Sequence, residues 1–577
     1  MRLAALLALF AVEGAVLSFL IPMFQNPDEQ VHYGTAQHWA EPKEKTWEIH
    51  AYESGKYFID AKDIRTSNLP EEMVQSASIA KFNELTFERQ NIQNFSDKSL
   101  EKQITENDWK RYVDVSPTAT SGTKSVYYLF ASWLERFFSD ESIFTRIFSM
   151  RMLGVAFGAA TVLLMYLTVR KIGLSEKTSL LFTTLVAFQP MFAITAAQVN
   201  IDVALIFSFS LFLYAGVSFL RSVDSSTRKL ARNDKEGDAA KGTGFFATLR
   251  MTDGGLGMTK WAIIAIIAAV LGLLSKGPGI VLVAALYPLF VWGAYQRYTR
   301  SLDYARDDRK EARNDKVRKF FAYLGITTIT LVGFGLLAVP KDYLIGITNA
   351  TALSKFDSPL ESIGKYLDKT MRQGEFRDTL LSYWGNFGWL DTPIPEWILS
   401  VINWIEIVGF VAVLMYLLAP VLKKMDWIAA VAVLPRNDKV GRVPERKYLV
   451  FFLGMIISLQ FAIRFYDWRV FDATGQVLIG QPGRYFLPNL IGHLVLVVVG
   501  VGIAVSWVRG IVIPSLSRNL GILRYAQNDK IGTGFFATLR MTDGEKTFEM
   551  ILKILALAMI LLQLYAIVNV IIPRYYL

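Results

Sequence analysis

The chain has no cysteine and only four histidines, His32, His38, His50 and His493, among 577 residues. Without cysteine there are no disulfides, no thiolate metal sites and no cysteine nucleophile, and nothing follows about redox compartment. No HExxH occurs, which removes a zinc protease of that kind. Charge is also scarce: 19% of residues are charged against 52% hydrophobic. With apolar runs of membrane length recurring along the chain, that balance excludes an ordinary cytosolic enzyme, a disordered protein and a secreted disulfide scaffold.

What is present in quantity is membrane helix. About eleven spans are expected, near 2–22, 152–170, 178–198, 201–220, 261–275, 278–296, 320–339, 399–420, 448–465, 485–507 and 550–571. Each approaches the roughly 20 residues that cross a core of about 30 Å. The pair at 261–296 is short and also fits a shallow hairpin around Ser275-Lys276-Gly277-Pro278-Gly279. No small-x-small cleavage site follows Phe19-Leu20-Ile21, so residues 1–22 read as an uncleaved anchor. Glu13 lies inside that span, where a carboxylate is a functional candidate or reaches a neighbouring helix.

The net charge of +10 first suggests nucleic acid, and its location argues otherwise. Segments 221–260, 297–319, 421–447 and 508–549 hold 30 Lys/Arg against 17 Asp/Glu, whereas 23–125 holds 12 against 17. Positive loops stay inside. The N-terminus is therefore expected in the cytosol, with 23–125, 340–398 and 466–484 outside, and no nucleic-acid partner. The organisation reads as an anchor (1–22), an extracytoplasmic loop with an acidic motif (23–151) and spans two to seven (152–339). A second outward segment (340–398) and spans eight to eleven (399–577) follow.

GTGFFATLRMTDG occurs twice without mismatch, at 242–254 and 532–544, and variants of ARNDK recur at 231–235, 312–316, 435–439 and 526–530. The copies share neither spacing nor a buried pattern, so they do not build a solenoid. They read as in-frame insertions of a dispersed genomic repeat, in cytosolic loops that tolerate added length. A basic patch for anionic lipid or a partner is the functional alternative.

Four outward places carry candidate chemistry. After the first span comes Gln25-Asn26-Pro27-Asp28-Glu29-Gln30-Val31-His32, where Pro27 can start a helix that sets Asp28 and His32 on one face beside Glu29. Carboxylates there suit a general base or a divalent cation such as Mg or Mn, and equally a plain helix N-terminus. Between spans three and four, Asn200 and Asp202 occupy a short turn, and Asp202 also suits a helix cap. The Gly- and Pro-rich segment 383–397 carries Trp384, Trp389 and Trp397, which fit either interfacial anchors or platforms for a sugar ring, and Asp391, with no cation nearby in sequence. Arg484, beside Tyr485 at the start of the tenth span, can hold a phosphate through its planar fork. Lys276, between two glycines and a serine, offers a second cation or a side chain reaching to headgroups.

In chain order, Asn26-Pro-Asp-Glu-x-x-His, Asn200-x-Asp202, Ser382-Tyr-Trp-Gly-Asn-Phe-Gly-Trp-Leu-Asp-Thr-Pro-Ile-Pro and Gly483-Arg-Tyr-Phe-Leu-Pro resemble the bacterial membrane family known as domain of unknown function 2142. The likeness covers most of residues 1–510. That family is similar to the C-type glycosyltransferase (GT-C) fold, an all-α polytopic architecture with a long first extracytoplasmic loop. The resemblance implies a polyprenyl-phosphate sugar donor and an envelope glycan, lipid or protein acceptor. It makes Asp28 the catalytic base, Glu29 its acidic companion, Asp202 the acid of the second outward loop, and Lys276 and Arg484 the phosphate contacts. A divalent metal on Asp28 and Glu29 is compatible with the chemistry and not required by it. The long first loop lacks the His-Pro-Pro often seen before a stretch such as Tyr127-Tyr128-Leu129-Phe130.

Two other classes compete. A lipid-linked sugar flippase or exporter predicts broken helices and charges at mid-membrane, and an envelope scaffold predicts no loss on replacing Asp28. Deleting 231–254 is expected to leave sugar transfer in isolated membranes unchanged, and loss of transfer would show that the repeat has a role.

Overall fold

A computed structural model describes residues 2–40, 71–95, 98–106, 125–235, 253–304, 355–372, 374–422, 444–475, 482–519 and 544–577. The helices are α1 (Arg2–Leu20), α2 (Glu29–Ala40), α3 (Glu71–Ile79), α4 (Phe82–Thr86), α5 (Lys98–Glu106), α6 (Val126–Phe137), α7 (Ile143–Lys171), α8 (Glu176–Ala187), α9 (Pro190–Ala196) and α10 (Asp202–Lys235). They continue as α11 (Asp253–Leu273), α12 (Ile280–Tyr304), α13 (Pro359–Arg372), α14 (Glu375–Trp384), α15 (Glu396–Leu422), α16 (Arg446–Thr474), α17 (Leu490–Asn519), α18 (Gly544–Ala566) and α19 (Ile572–Tyr576). A two-stranded antiparallel ladder, Asn386–Phe387 against Thr392–Pro393, follows α14.

The chain is a mostly helical, multi-pass membrane protein. Eight stretches among the described residues are long and apolar enough to cross a bilayer: Arg2–Leu20, Ile143–Lys171, Asp202–Val223, Gly277–Tyr295, Glu396–Ala419, Arg446–Thr474, Gly483–Trp507 and Lys546–Tyr576. Each falls on an expected span. α11 contains a shorter apolar helix, Met258–Leu273. Of the expected pair at 261–296, Gly277–Tyr295 has the length of a span and Met258–Leu273 is shorter. The expected span at 320–339 lies outside the described residues, as does most of the repeated sequence.

One expected span needs correction. Residues 178–198 form two helices, α8 and α9, bent by 68°. Pro190 cannot donate to the turn before it and keeps Gln189 extended, at φ −72° and ψ 116°, so the helix cannot run through. The break is sealed locally. Gln189 accepts from the Phe192 amide at 2.5 Å and donates to the Tyr383 carbonyl at 2.7 Å.

α10 is the most buried span and packs against α7, α11 and α12. α15 crosses α17 where Gly409 meets Gly500, and a Cβ on Gly500 would stand 1.9 Å from the Gly409 carbonyl oxygen. Glu13 finds a neighbouring helix: Gln563 on α18 donates to it at 2.5 Å. The first loop is pinned by Arg146 at the start of α7, which is wholly buried. Its guanidinium holds Glu135 of α6 at 2.6 Å and also Glu72 of α3, while Gln37 of α2 donates to Glu135 at 3.2 Å. Four elements thus share one polar knot. Burial, partly offset by Arg146, pushes the Glu135 carboxyl up.

The chain's last helix returns to the first loop, since Tyr576 donates to the Leu20 carbonyl at 2.9 Å and Arg574 to that of Gln90 at 3.2 Å. The glycine crossing makes a paired test. Gly500→Ala should lower the melting temperature of the purified protein, because overpacking there costs about 1–3 kcal/mol. Gly454→Ala, where a Cβ meets nothing within 4 Å, should leave it unchanged or raise it. Equal shifts would show that the crossing tolerates a methyl group.

Candidate functional site

After α1 the chain turns sharply through Pro22–Asp28, with Phe24 and Asp28 in the left-handed region at φ 62° and 63°. Asp tolerates that conformation better than most residues do. α2 therefore starts at Glu29, and Asp28 sits ahead of it, its carbonyl accepting from Val31 and His32 at 3.0 Å each. The expected helix from Pro27, with Asp28 and His32 on one face, is corrected accordingly. The left-handed residue swings Asp28 out of the helical turn.

The two adjacent acids have different surroundings. Glu29 is fully buried. Arg151 of α7 donates to its two oxygens at 2.8 and 2.7 Å, and the amides of Phe24 and Val199 add bonds at 3.1 and 3.0 Å. Arg151 also donates to the carbonyls of Ser18 and Ile21 at 2.7 Å and of Pro22 at 3.0 Å. Both oxygens of Glu29 are committed, and these bonds fix the turn that carries Asp28. Sequence reading missed Arg151. It lies at the edge of an expected span, and its partner is 122 residues away.

Asp28 remains 47% exposed at its side chain and accepts from Nη2 of the buried Arg484 at 2.8 Å. Arg484 Nε stands 3.8 Å from Asp202 Oδ2, and Lys276 Nζ lies 2.5 Å from Asp202 Oδ1. Tyr485 offers its ring to both cations, with Lys276 4.1 Å and Arg484 5.6 Å from its centroid. Asn200 accepts from the Asp202 amide at 2.7 Å and so fixes the start of α10. Asp28, Asn200, Asp202, Lys276, Arg484 and Tyr485 therefore form one group, with two carboxylates facing two cations. Burial works against the charge on Lys276, but the Asp202 carboxylate outweighs it and holds the ammonium above its ordinary value.

His32 borders this group, its Nδ1 2.6 Å from the hydroxyl of Tyr128. Burial pushes it down to about 4, against the pull of the Asp28 and Asp202 carboxylates. His32 is therefore neutral at pH 7.

The segment 383–397 adjoins the acid–cation group, since the Gly483 amide, next to Arg484, donates to Ser382 at 2.6 Å. Trp384 is buried, its indole donating to Glu406 at 3.0 Å, so it has no open face for a sugar. Trp389 is half-buried, donates to the Phe24 carbonyl at 3.2 Å and packs edge-on against Phe82 at 5.8 Å. It props the turn that carries Asp28. Trp397, 68% exposed, keeps the interfacial reading. Asp391 does have cations: Arg89 at 3.5 Å and Arg574 at 3.6 Å, both distant in sequence.

The depressed His32 has a measurable consequence. Its unfolded value is near 6.5, so the unfolded chain binds more protons between about pH 6.5 and 4, and folded stability falls as pH falls through that window. Relative to His32→Gln, the wild type should lose up to about 1.4 kcal/mol per pH unit there. Denaturant melts from pH 7 to 4 would show it, and a pH-independent difference would mean His32 does not carry the linkage.

The family model for dolichyl-phosphate-mannose-protein mannosyltransferases matches residues 127–232, a stretch that includes Arg151, Asn200 and Asp202. No curated protein matches the chain. Among solved structures, the S. cerevisiae Pmt1–Pmt2 protein O-mannosyltransferase complex bound to its sugar donor is 14% identical over 59% of this chain and 34% of that one, with a TM-score of 0.28. An Archaeoglobus fulgidus oligosaccharyltransferase tethered to an acceptor peptide is 12% identical over 97% of this chain and 54% of that one, with a TM-score of 0.36. The archaeal oligosaccharyltransferase AglB, with an inhibitory peptide and a dolichol phosphate, is 11% identical over 97% and 56%, with a TM-score of 0.32. The chain thus spans between a third and three-fifths of the length of these structures.

Proposed function

We propose that the protein is a membrane glycosyltransferase of the C type. It takes a sugar from a polyprenyl-phosphate donor and passes it to an envelope glycan, lipid or protein acceptor on the outer face of the cytoplasmic membrane. The observation that carries this reading is the group in which a half-exposed carboxylate, Asp28, meets the buried Arg484 while Lys276 holds Asp202 beside them. The partial match over 127–232 and the resemblance to the bacterial family of unknown function support it.

In this mechanism the acceptor hydroxyl gives its proton to the Asp28 carboxylate as its oxygen bonds to the sugar's anomeric carbon. The bond from that carbon to the lipid phosphate breaks, and the phosphate leaves with the electron pair. A base in that position typically contributes 10²–10⁴-fold. Lys276 and Arg484 neutralise the departing phosphate, so no general acid is needed. One displacement inverts the anomeric centre.

Asp28 and Glu29 do not fit a shared divalent cation. Glu29 has both oxygens occupied by Arg151 and two backbone amides. Among the described residues no group of three or more acids and histidines could hold a metal. The steps above draw on the protein cations Lys276 and Arg484.

One observation favours a flippase as the second reading, the 68° break between α8 and α9. The break faces Tyr383 and is closed by Gln189, so its backbone is not free to coordinate cargo. Asp28→Asn should keep the protein folded and reduce transfer from radiolabelled polyprenyl-phosphate hexoses by 10²–10⁴-fold, with chelator making no difference. Label crossing the bilayer unchanged would replace transfer with transport.

A further inference from the structure

Twenty-two buried side-chain polar atoms among the described residues lack a hydrogen-bond partner, and six belong to the segments that build the acid–cation group. They are Asn26 Nδ2, Gln30 Oε1, Gln198 Nε2, Asn200 Nδ2, Asp202 Oδ2 and Arg484 Nε. All six residues are at most 3% exposed. Leaving such a group dry and unpaired costs about 1–3 kcal/mol, so a cluster of them calls for a partner.

Their segments are tied to one another. Asn26 and Gln30 flank the Asp28–Glu29 pair in the chain. Gln198 and Asn200 flank Val199, whose amide donates to Glu29 at 3.0 Å. Arg484 holds Asp28 and lies 3.8 Å from Asp202. The residues that bear the unmatched atoms therefore belong to segments tied to the turn that carries the proposed base. Four of the six belong to uncharged amides, three offering N–H and one offering oxygen. A phosphate would be served by the cations. A mixed set of neutral donors and an acceptor matches hydroxyls, each of which both gives and receives.

We propose that the side-chain amides of Asn26, Gln30, Gln198 and Asn200 form the subsite that reads the hydroxyls of the donor sugar, beside the phosphate held by Lys276 and Arg484. This rests on the glycosyltransferase reading and deepens it. The amides set which sugar is accepted, and the acids and cations set whether transfer occurs. Because binding satisfies groups that are otherwise unpaired, a sugar lacking the matching hydroxyl is rejected more strongly than the loss of one contact would suggest.

The test uses full-length protein in bilayer nanodiscs with Asn26→Leu and Gln198→Met, which keep size and remove the polar atoms. Asn200 is left alone because it also caps α10. Both variants should melt at or above the wild-type temperature without ligand, since a dry unpaired amide has been removed. Both should bind polyprenyl phosphate like wild type. The extra affinity of wild type for polyprenyl-phosphate hexose should fall about 5–10-fold for each hydrogen bond lost. Variants that melt lower and keep the full preference for the sugar-bearing lipid would overturn the subsite, because the amides would then serve the fold. A wild type that binds the two lipids equally would overturn the glycosyltransferase reading with it.

Discussion

The site depends on the Arg151–Glu29 pair. A buried guanidinium and a buried carboxylate would each be costly alone, and together they satisfy each other while collecting backbone groups from three places. Arg151 closes the end of α1 through three carbonyls, and Glu29 gathers the amides of Phe24 and Val199. The first helix, the turn after it, α7 and the turn before α10 are thus joined at one point. Asp28 follows from that junction, since it can keep a left-handed backbone and a half-exposed side chain only while the residues around it are fixed.

Around this junction the polar groups are arranged in grades. Glu29 is saturated. Asp202 is bonded to Lys276 through one oxygen, and its other oxygen faces Arg484 at 3.8 Å without a hydrogen bond. Asp28 is open to water. Three carboxylates of ordinary chemistry thereby take three positions: one builds the junction, one holds a cation, and one stands half-exposed beside Arg484. A second buried knot, Arg146 with Glu72 and Glu135, repeats the building duty farther out and secures the helices of the first loop to α7. Neither arginine touches the proposed chemistry directly.

Much of this was legible in the sequence, and for a physical reason. Charge is expensive in hydrocarbon, so Asp28, Asp202, Lys276 and Arg484 at the ends of apolar runs stood out before any coordinates. The spans were legible through their length. The bend at Gln189 could have been read from Pro190, but the apolar run continues through it and hides the break. Pairings were not legible, because a local pattern says nothing about partners more than a hundred residues away. Glu29 looked like a twin of Asp28 for that reason, and Asp391 looked isolated although Arg89 and Arg574 converge on it. Trp384 illustrates the same limit in reverse: an aromatic at a water-facing loop suggested a platform, and Glu406 draws its indole inward.

The contact between the last helix and the first loop has a consequence for the order in which the molecule is made. Arg574 reaches the carbonyl of Gln90 and the carboxylate of Asp391, Tyr575 donates to the Gln25 carbonyl at 3.5 Å, and Tyr576 reaches Leu20. The loop that carries Asp28 leaves the ribosome well before the residues of α19 that secure it. During synthesis that loop must wait, held by Arg146 and Arg151 from α7, until α18 and α19 have been made. A chain halted before α19 would own every member of the acid–cation group and still lack the brace beneath it.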